Sequence, residues 1–518
     1  MSPLCVEVHV SDSIRSVGSN PYCGSVSYEA ATRPQQAPAE SGAGISLEDQ
    51  FQSVSSSDLT PQGKVRFILS YDDAQAAKSA RQAMEAKEKN TDLGKHCQVA
   101  DEYPLVNGFA MDVDPGNVGE LLRNVPAGSH VAMDRCLDDL VVHDPKFTAA
   151  AKEGKIPTTD VAASLPGIQK VWDQGFTGQG QTIAIIDSGI YPHPDLEDKI
   201  VGWVDLRDGT LAPSDDYGHG THVAGIAAGN GVSSAGKHKG VAPDANVVGV
   251  RIANVSDAIK GIQWCIEHKE DKNIGVINMS LGDFALRSYR DDPWAQAAEK
   301  AMEAGIVVCV AAGNDGPSEF NINTPGIHPD VITVGALDDK GTPERDDDTV
   351  ADFSSRGPTQ VDNLFKPDIL APGVNIMSTM SPGSALSKEG TAPQDGPNYF
   401  AISGTSMATP MVAGLAAVLL QANPTLSHQE IKEIITRSAD NYLPEEPNIR
   451  GAGVANAERA LELALNWDHE AEAANVAKSV ERARTPVSGP SDDIYHGNVG
   501  SKSNVTSSVV GNEGFILS

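Results

Sequence analysis

The chain of 518 residues is poor in basic residues, in aromatics and in cysteine. Lys and Arg number 39 against 70 Asp and Glu, a formal net charge of −31. So acidic a surface repels phosphate backbones, which excludes nucleic acid as a partner and favours solubility. The six cysteines, Cys5, Cys23, Cys97, Cys136, Cys265 and Cys309, contain no CxxC pair. A chain this long needs no disulfide framework, so reduced thiols are expected. The start, MSPLCVEVHVSDSIRSV, lacks a basic segment followed by a long apolar stretch, so no secretory signal is visible. No apolar run approaches the length of a membrane span, so no membrane partner is expected. These absences point to the cytoplasm, with secretion as the alternative. No internal repeat is present.

What is there is globular. Hydrophobic content of 40% and charged content of 21% suit a chain that buries a large core. Residues 1–62 are rich in Ser, Gly, Pro, Gln and Ala and read as disordered or linker. Residues 63–140 read as a small α+β domain: strand KVRFILSY, helix DAQAAKSARQAMEAKEK, strand VNGFAMDV, short helix PGNVGELLRNVP, strand GSHVAMDR. Residues 141–165 read as a second linker and 469–518 as a flexible tail. Between them, residues 166–468 alternate apolar runs (TIAII, NVVGVRI, GVINMSLG, GIVVCVAAG, VITVGAL) with helical segments. Wholly apolar strands alternating with helices indicate α/β architecture: a mainly parallel sheet covered on both faces, three layers in all.

Four segments of this region carry chemistry. Reactive groups in such sheets gather at the carboxyl ends of strands. Asp187 ends the run IIDSG, although an Asp there also serves as a turn or cap residue. His219 lies between Gly218 and Gly220 in DYGHGTHVAG, at a helix start where small neighbours admit another backbone. His222 is spaced wrongly for the zinc-protease motif, which needs i, i+4 and a Glu between, so it reads as a packing residue. Ser406, in SGTSMATP, stands at the amino end of a helix apolar all round. Backbone N–H groups and the helix dipole there favour an oxyanion, though one hydroxyl could also simply cap the helix. Pro410 is expected in the first helical turn, where its missing N–H costs little. Asn314, in VAAGNDG, follows a strand and offers a side-chain amide as an oxyanion donor, or forms a plain turn.

The order decides between serine-hydrolase families. Asp187, His219, Ser406 differs from the order in trypsin-like enzymes and in α/β-hydrolases, and G-T-S-M-A is not the G-x-S-x-G of an esterase. The segments IIDSG, GHGTHVAG, VAAGN and SGTSMATP together resemble the motifs of the subtilisin-like serine proteases, the subtilases, over about Gly167 to Ala464. That resemblance implies a serine endopeptidase acting on polypeptides. Ser406 would be the nucleophile, His219 its general base, Asp187 the orienting carboxylate, and Asn314 with the Ser406 N–H the oxyanion hole. Ser280, Leu281 and Gly282 would pair with the substrate backbone, and Ala311, Ala312 and Gly313 would wall the pocket for the residue before the cut.

The resemblance also implies that the domain at 63–140 is a propeptide, an intramolecular chaperone and inhibitor of a monomeric zymogen cleaved between about Cys136 and Ser164. No cofactor is required for the chemistry. Asp195, in HPDLED, matches a position that ligates structural calcium in the family, and the acidic run Asp338–Asp352 is a second oxygen-rich stretch. Met411 replaces the family's usual His, with packing consequences only. In VVGVRIANVSDAIKGIQW a strand passes almost directly into a helix, where relatives carry a longer substrate-contacting connection, so broad specificity is expected two to four residues before the cut.

Overall fold

The computed structural model describes residues 58–60, 62–136, 159–160, 164–389 and 392–487. Most of the expected first linker, the proposed cleavage region and the end of the expected tail lie outside these residues. The small N-terminal unit is an antiparallel sheet of β1 (Val65–Ser70), β2 (Cys97–Tyr103), β3 (Gly108–Val113) and β4 (His130–Met133), in the order β2-β3-β1-β4. Strand β2 is an addition to the sequence reading. Its sequence CQVADEY is too polar to show an apolar period, because it pairs with β3 alone at the sheet's edge. Side chains of β1 alternate. Val65, Phe67 and Leu69 pack with Ala77, Ala80 and Met84 of the helix Ala74–Asn90, while Ile68 packs against the larger part of the molecule.

That larger part begins with β5 (Thr159–Asp160) and is built on a sheet of eight strands. These are β6 (Thr182–Asp187), β7 (Ile200–Asp205), β8 (Asn246–Arg251), β9 (Ile274–Met279), β10 (Val307–Ala311), β11 (Ile332–Asp338), β12 (Thr349–Val350) and β13 (Ile369–Pro372). Their order is β12-β11-β10-β9-β6-β8-β7, with β13 also on β11, and every pairing but β11–β12 is parallel. Along β6, Ile183 and Ile185 face a core shared with the helices His219–Ala228 and Thr405–Ala422. Ala184 and Ile186 face a core shared with the helices Val255–Glu267 and Pro293–Glu303. Alternation on one strand thus feeds both faces, giving the expected three layers. The chain leaves β6 toward β7 and β8 on one side and reaches β9 on the other, so the crevice outside its carboxyl end is the switch point.

A third sheet joins β5 to β14 (Ile376–Thr379), β15 (Gln394–Asp395) and β16 (Tyr399–Ile402), in the order β15-β16-β14-β5. Thr405–Ala422 is the one helix among the described residues long and apolar enough to cross a membrane, and it is buried inside the core. The expected tail is corrected at its start. His469–Ala483 is a helix capped by the Asp468 carboxylate, and Arg437 holds it through Glu472 at 2.7 Å. Its sequence is mostly polar because Val476 is the one residue it buries.

Candidate active site

Asp187 is the last residue of β6, at the switch point, and is fully buried. Its Oδ1 accepts from the Ser188 N–H at 2.7 Å and lies 2.7 Å from His219 Nδ1. His219 opens its helix and is also fully buried. The approach depends on Gly220. A Cβ there would stand 2.1 Å from the Gly189 carbonyl oxygen and 3.0 Å from Asp187 Cβ.

Asp215, which the sequence reading passed over, fixes this junction. Its Oδ1 accepts from Ser188 Oγ at 3.0 Å and Gly218 N at 2.7 Å. Its Oδ2 accepts from Thr221 N at 2.9 Å and Thr221 Oγ1 at 2.6 Å. One buried carboxylate therefore caps the His219 helix and ties it to the turn after β6. Burial raises the Asp215 pKa above its ordinary value. His222 points elsewhere: its Nε2 lies 3.0 Å from the Ile376 and Phe400 carbonyls, a clamp between helix and sheet.

The helix Thr405–Ala422 packs beside the His219 helix and presents Ser406 in its first turn. Ser406 Oγ donates to the Ser280 carbonyl at 2.8 Å. Ser280 Oγ returns a bond to the Ser406 carbonyl at 2.8 Å. Pro410 explains the second bond. It lies inside the helix rather than in its first turn, because the helix starts at Thr405. A proline deprives the carbonyl four residues back of its N–H partner, and that carbonyl belongs to Ser406. The Ser280 hydroxyl supplies the missing donor.

Asn314 Oδ1 accepts from Thr405 N and Thr405 Oγ1, both at 2.9 Å, which turns Nδ2 toward the helix start. A Cβ built on Gly404 would stand 3.5 Å from Asn314 Nδ2 and 3.6 Å from Ser406 N. Glycine thus keeps open a space on which two N–H donors converge, the requirement for holding an oxyanion. Met411 is buried in the core, as expected of a packing position.

Ser280, Leu281 and Gly282 follow β9 and are buried. Ala311 ends β10, and Ala312 is pinned by bonds to Val334 and Asn323. Gly282 and Gly313 both face Asn323. A Cβ on Gly282 would be 2.7 Å from Asn323 Cβ, and one on Gly313 would be 2.7 Å from Asn323 Cγ. Asn323 therefore sits between the two segments the sequence assigns to substrate.

Asp195 is engaged by protein donors. Its Oδ1 accepts from Ser233 N at 2.9 Å and its Oδ2 from Tyr399 OH at 2.6 Å. The loop beside it brings the cationic Lys237 and the imidazole of His238, whereas calcium needs six to eight oxygens. The acidic run is likewise spent piecewise: Asp338 on Lys340, Asp339 on Thr159, Asp348 on Tyr442. Among the described residues no three His, Cys, Asp or Glu side chains converge to hold a metal.

Residues 178–457 match the model of the Subtilase family. The chain belongs to the subtilase family. It is a subtilisin-like serine protease, a hydrolase of peptide bonds, and its three-layer fold is that of the family. Serine protease AprX of Bacillus subtilis (strain 168) is 51% identical over 299 residues, covering 56% of this chain and 67% of AprX. Subtilisin E from the same organism is 32% identical over 412 residues, 77% of this chain and 90% of its own. Among solved structures, fervidolysin from Fervidobacterium pennivorans, a keratinolytic enzyme related to subtilisin, superposes with a TM-score of 0.56 at 25% identity. That match covers 77% of this chain and 61% of fervidolysin. In this subtilase, Asp187, His219, Asn314 and Ser406 surround the crevice outside β6, with Ser280 joined to Ser406.

Proposed function

We propose that this subtilase hydrolyses peptide bonds through an acyl-enzyme on Ser406 and is made as a zymogen inhibited by its own N-terminal unit. The buried Asp187–His219 pair at 2.7 Å carries the reading. A carboxylate on Nδ1 fixes the tautomer whose Nε2 accepts a proton, and stabilises the imidazolium that follows. Ser406 first turns about Cα–Cβ, away from the Ser280 carbonyl, and gives its proton to His219 as its Oγ attacks the substrate carbonyl. The oxyanion forms in the space kept by Gly404, facing Asn314 Nδ2 and Ser406 N–H. His219 then protonates the leaving amine, and water repeats the sequence to release the acid. No cofactor enters any step.

The zymogen reading is supported by the small sheet packed on the helices Val255–Glu267 and Pro293–Glu303, with Ile68, Tyr103 and Ala132 in the shared core. Its last residues lie along the edge at Asn254. Likeness to subtilisin E, over 412 residues, extends well outside the 178–457 window. Broad preference two to four residues before the cut is supported by β8, which ends at Arg251 and is followed by a helix from Val255.

The test compares wild type with Ser406→Ala on a denatured protein substrate, following mass on SDS gels over time. Wild type should shorten from 54.4 kDa and digest the substrate, while the variant stays whole and inactive. Cleavage by the variant would sink the assignment of Ser406.

A further inference from the structure

The segment leaving β4 runs onto the larger part of the molecule and carries one cation into it. Asp134 Oδ1 accepts from Ser256 N at 2.8 Å, the Arg135 carbonyl accepts from Val255 N at 3.2 Å, and Cys136 bridges antiparallel to Asn254. Arg135 is thus fixed by backbone pairing on both sides. Its Nε lies 3.5 Å from Asp283 Oδ2, and its guanidinium lies 3.4 Å from Asp58 Oδ2.

Asp283 directly follows the Ser280–Gly282 segment that is bonded to Ser406. It is held rigidly: Asp283 and Thr324 exchange backbone bonds of 3.0 and 2.8 Å. Asp283 Oδ1 accepts from Phe284 N at 2.7 Å, which leaves Oδ2 turned to Arg135. Behind it Arg287 lies 3.6 Å from Asp292 Oδ2. A small pocket lies beside Arg135, between Ala132 and Met133 of the N-terminal unit and Val255, Asp283 and Trp294 of the larger part. Asp58 belongs to the N-terminal unit and leaves with it. Asp283 then loses the guanidinium at 3.5 Å, while Arg287 stays beside Asp292. A carboxylate in so enclosed a place is stabilised by a new cation.

We propose that Asp283 determines specificity by forming a subsite for a cationic side chain upstream of the cut, arginine before lysine, with Arg135 as the chain's own occupant. An extended chain advances about 3.3 Å per residue, so Asp283 stands about 10 Å along the strand from Ser280. The preferred cation therefore lies about three residues upstream of the substrate residue that faces Ser280. Arginine ranks first because its planar fork matches a carboxylate and stacks in an apolar pocket better than an ammonium. The proposal rests on the protease reading and on removal of the N-terminal unit.

The test uses the full chain, allowed to process itself, against a peptide library cut after acidic residues so that Arg and Lys remain internal. Cleavage sites are read by mass spectrometry for wild type, Asp283→Asn and Asp283→Glu. Wild type should enrich Arg about tenfold over Gln at one upstream position, the worth of one charge-assisted contact. Asp283→Asn should lose that enrichment and Asp283→Glu retain it. With matched Arg and Gln peptides the difference should fall mainly in KM, since the contact is made equally in ground and transition states. Cleavage by wild type without upstream enrichment, or equal enrichment by Asp283→Asn, overturns the proposal. Absence of any cleavage overturns the protease reading instead, and this one with it. As a check independent of the Asp283 variants, Arg135→Gln in the full chain should hasten the onset of activity, and an unchanged onset counts against Arg135 as the occupant.

Discussion

A buried histidine, His238, is held between two carboxylates beside Tyr399, and this makes stability depend on pH. His238 is buried, with Nδ1 at 2.6 Å from Asp160 Oδ1 and Nε2 at 2.9 Å from Asp395 Oδ2. The Tyr399 ring lies 4.5 Å from the imidazole, and Lys237 Nζ lies 2.8 Å from the same Asp395 oxygen. Only the doubly protonated ring can serve both carboxylates. Burial disfavours that charged ring, but the bonds to Asp160 and Asp395 outweigh it and raise the His238 pKa above its ordinary value. Such a group stabilises fully below the unfolded pKa of about 6.5, and the contribution is lost as pH rises through the folded, higher value. The clasp joins three separate stretches: β5, the loop after the His219 helix, and β15.

Its magnitude is bounded by exposure. Asp395 is half exposed at 50% of its side chain and Asp160 is at 29%, so solvent screens both pairs. Two partly screened charge-assisted contacts are worth about 1–2 kcal/mol together, a Tm change of about 2–6 °C. The assay is calorimetry in the Ser406→Ala background, which removes self-digestion, with and without His238→Gln. At about pH 5.5 the variant should melt lower by that amount, and at about pH 9 the two should converge. Excess chelator should shift neither, because protein donors already satisfy Asp195. A gap of equal size at both pH values would refute the clasp, and a chelator-induced fall in Tm would contradict the account of Asp195.

Asn314→Ala should lower kcat by about 10²–10³-fold with little change in KM, the loss typical of one oxyanion donor. Asn314→Asp should lose as much while still accepting from Thr405, so equal activity in wild type and Asn314→Asp would remove Asn314 from the oxyanion hole. At the docking face, burial raises Asp134 to about 6. Burial, and then the charge of Asp134, raises Asp257 to about 7. The docked state therefore binds more protons than the separated parts, and docking weakens as pH rises from about 4 through 7. The onset of activity in the full chain should quicken across that range, and Asp134→Asn should flatten the dependence; a profile unchanged in Asp134→Asn would exclude the carboxylate pair.

The proposed catalytic constellation is legible in the sequence because each of its members sits at a change of local pattern. Asp187 ends an apolar strand, and His219 and Ser406 open helices built of small residues. Asn314 follows another apolar strand. The sheet places those strand ends and helix starts side by side. The features that escaped are relations through space. Asp215 reads as one more acid in a polar loop, and only the folded chain sets its two oxygens between the Ser188 turn and the His219 helix. Asn323 gains its meaning from the absence of side chains on Gly282 and Gly313. Pro410, expected in the first turn, lies inside the helix, and the consequence, a carbonyl handed to Ser280, requires a partner from beyond β9.

Asp195 shows the same distinction from the other side. One position matched a ligand of the family, yet binding a divalent cation needs several oxygens to converge at one point, which a match at one position does not establish. What the chain supplies instead around Tyr399 is a hydroxyl, a backbone N–H, an ammonium and an imidazole, all of them proton donors. Each oxygen of the Asp195 carboxylate already accepts one of these, from Ser233 N and Tyr399 OH, while Lys237 and His238 serve Asp395. Converting this corner into a calcium site would take removal of the Tyr399 hydroxyl and of both basic side chains, Lys237 and His238, and not merely the addition of one more acid.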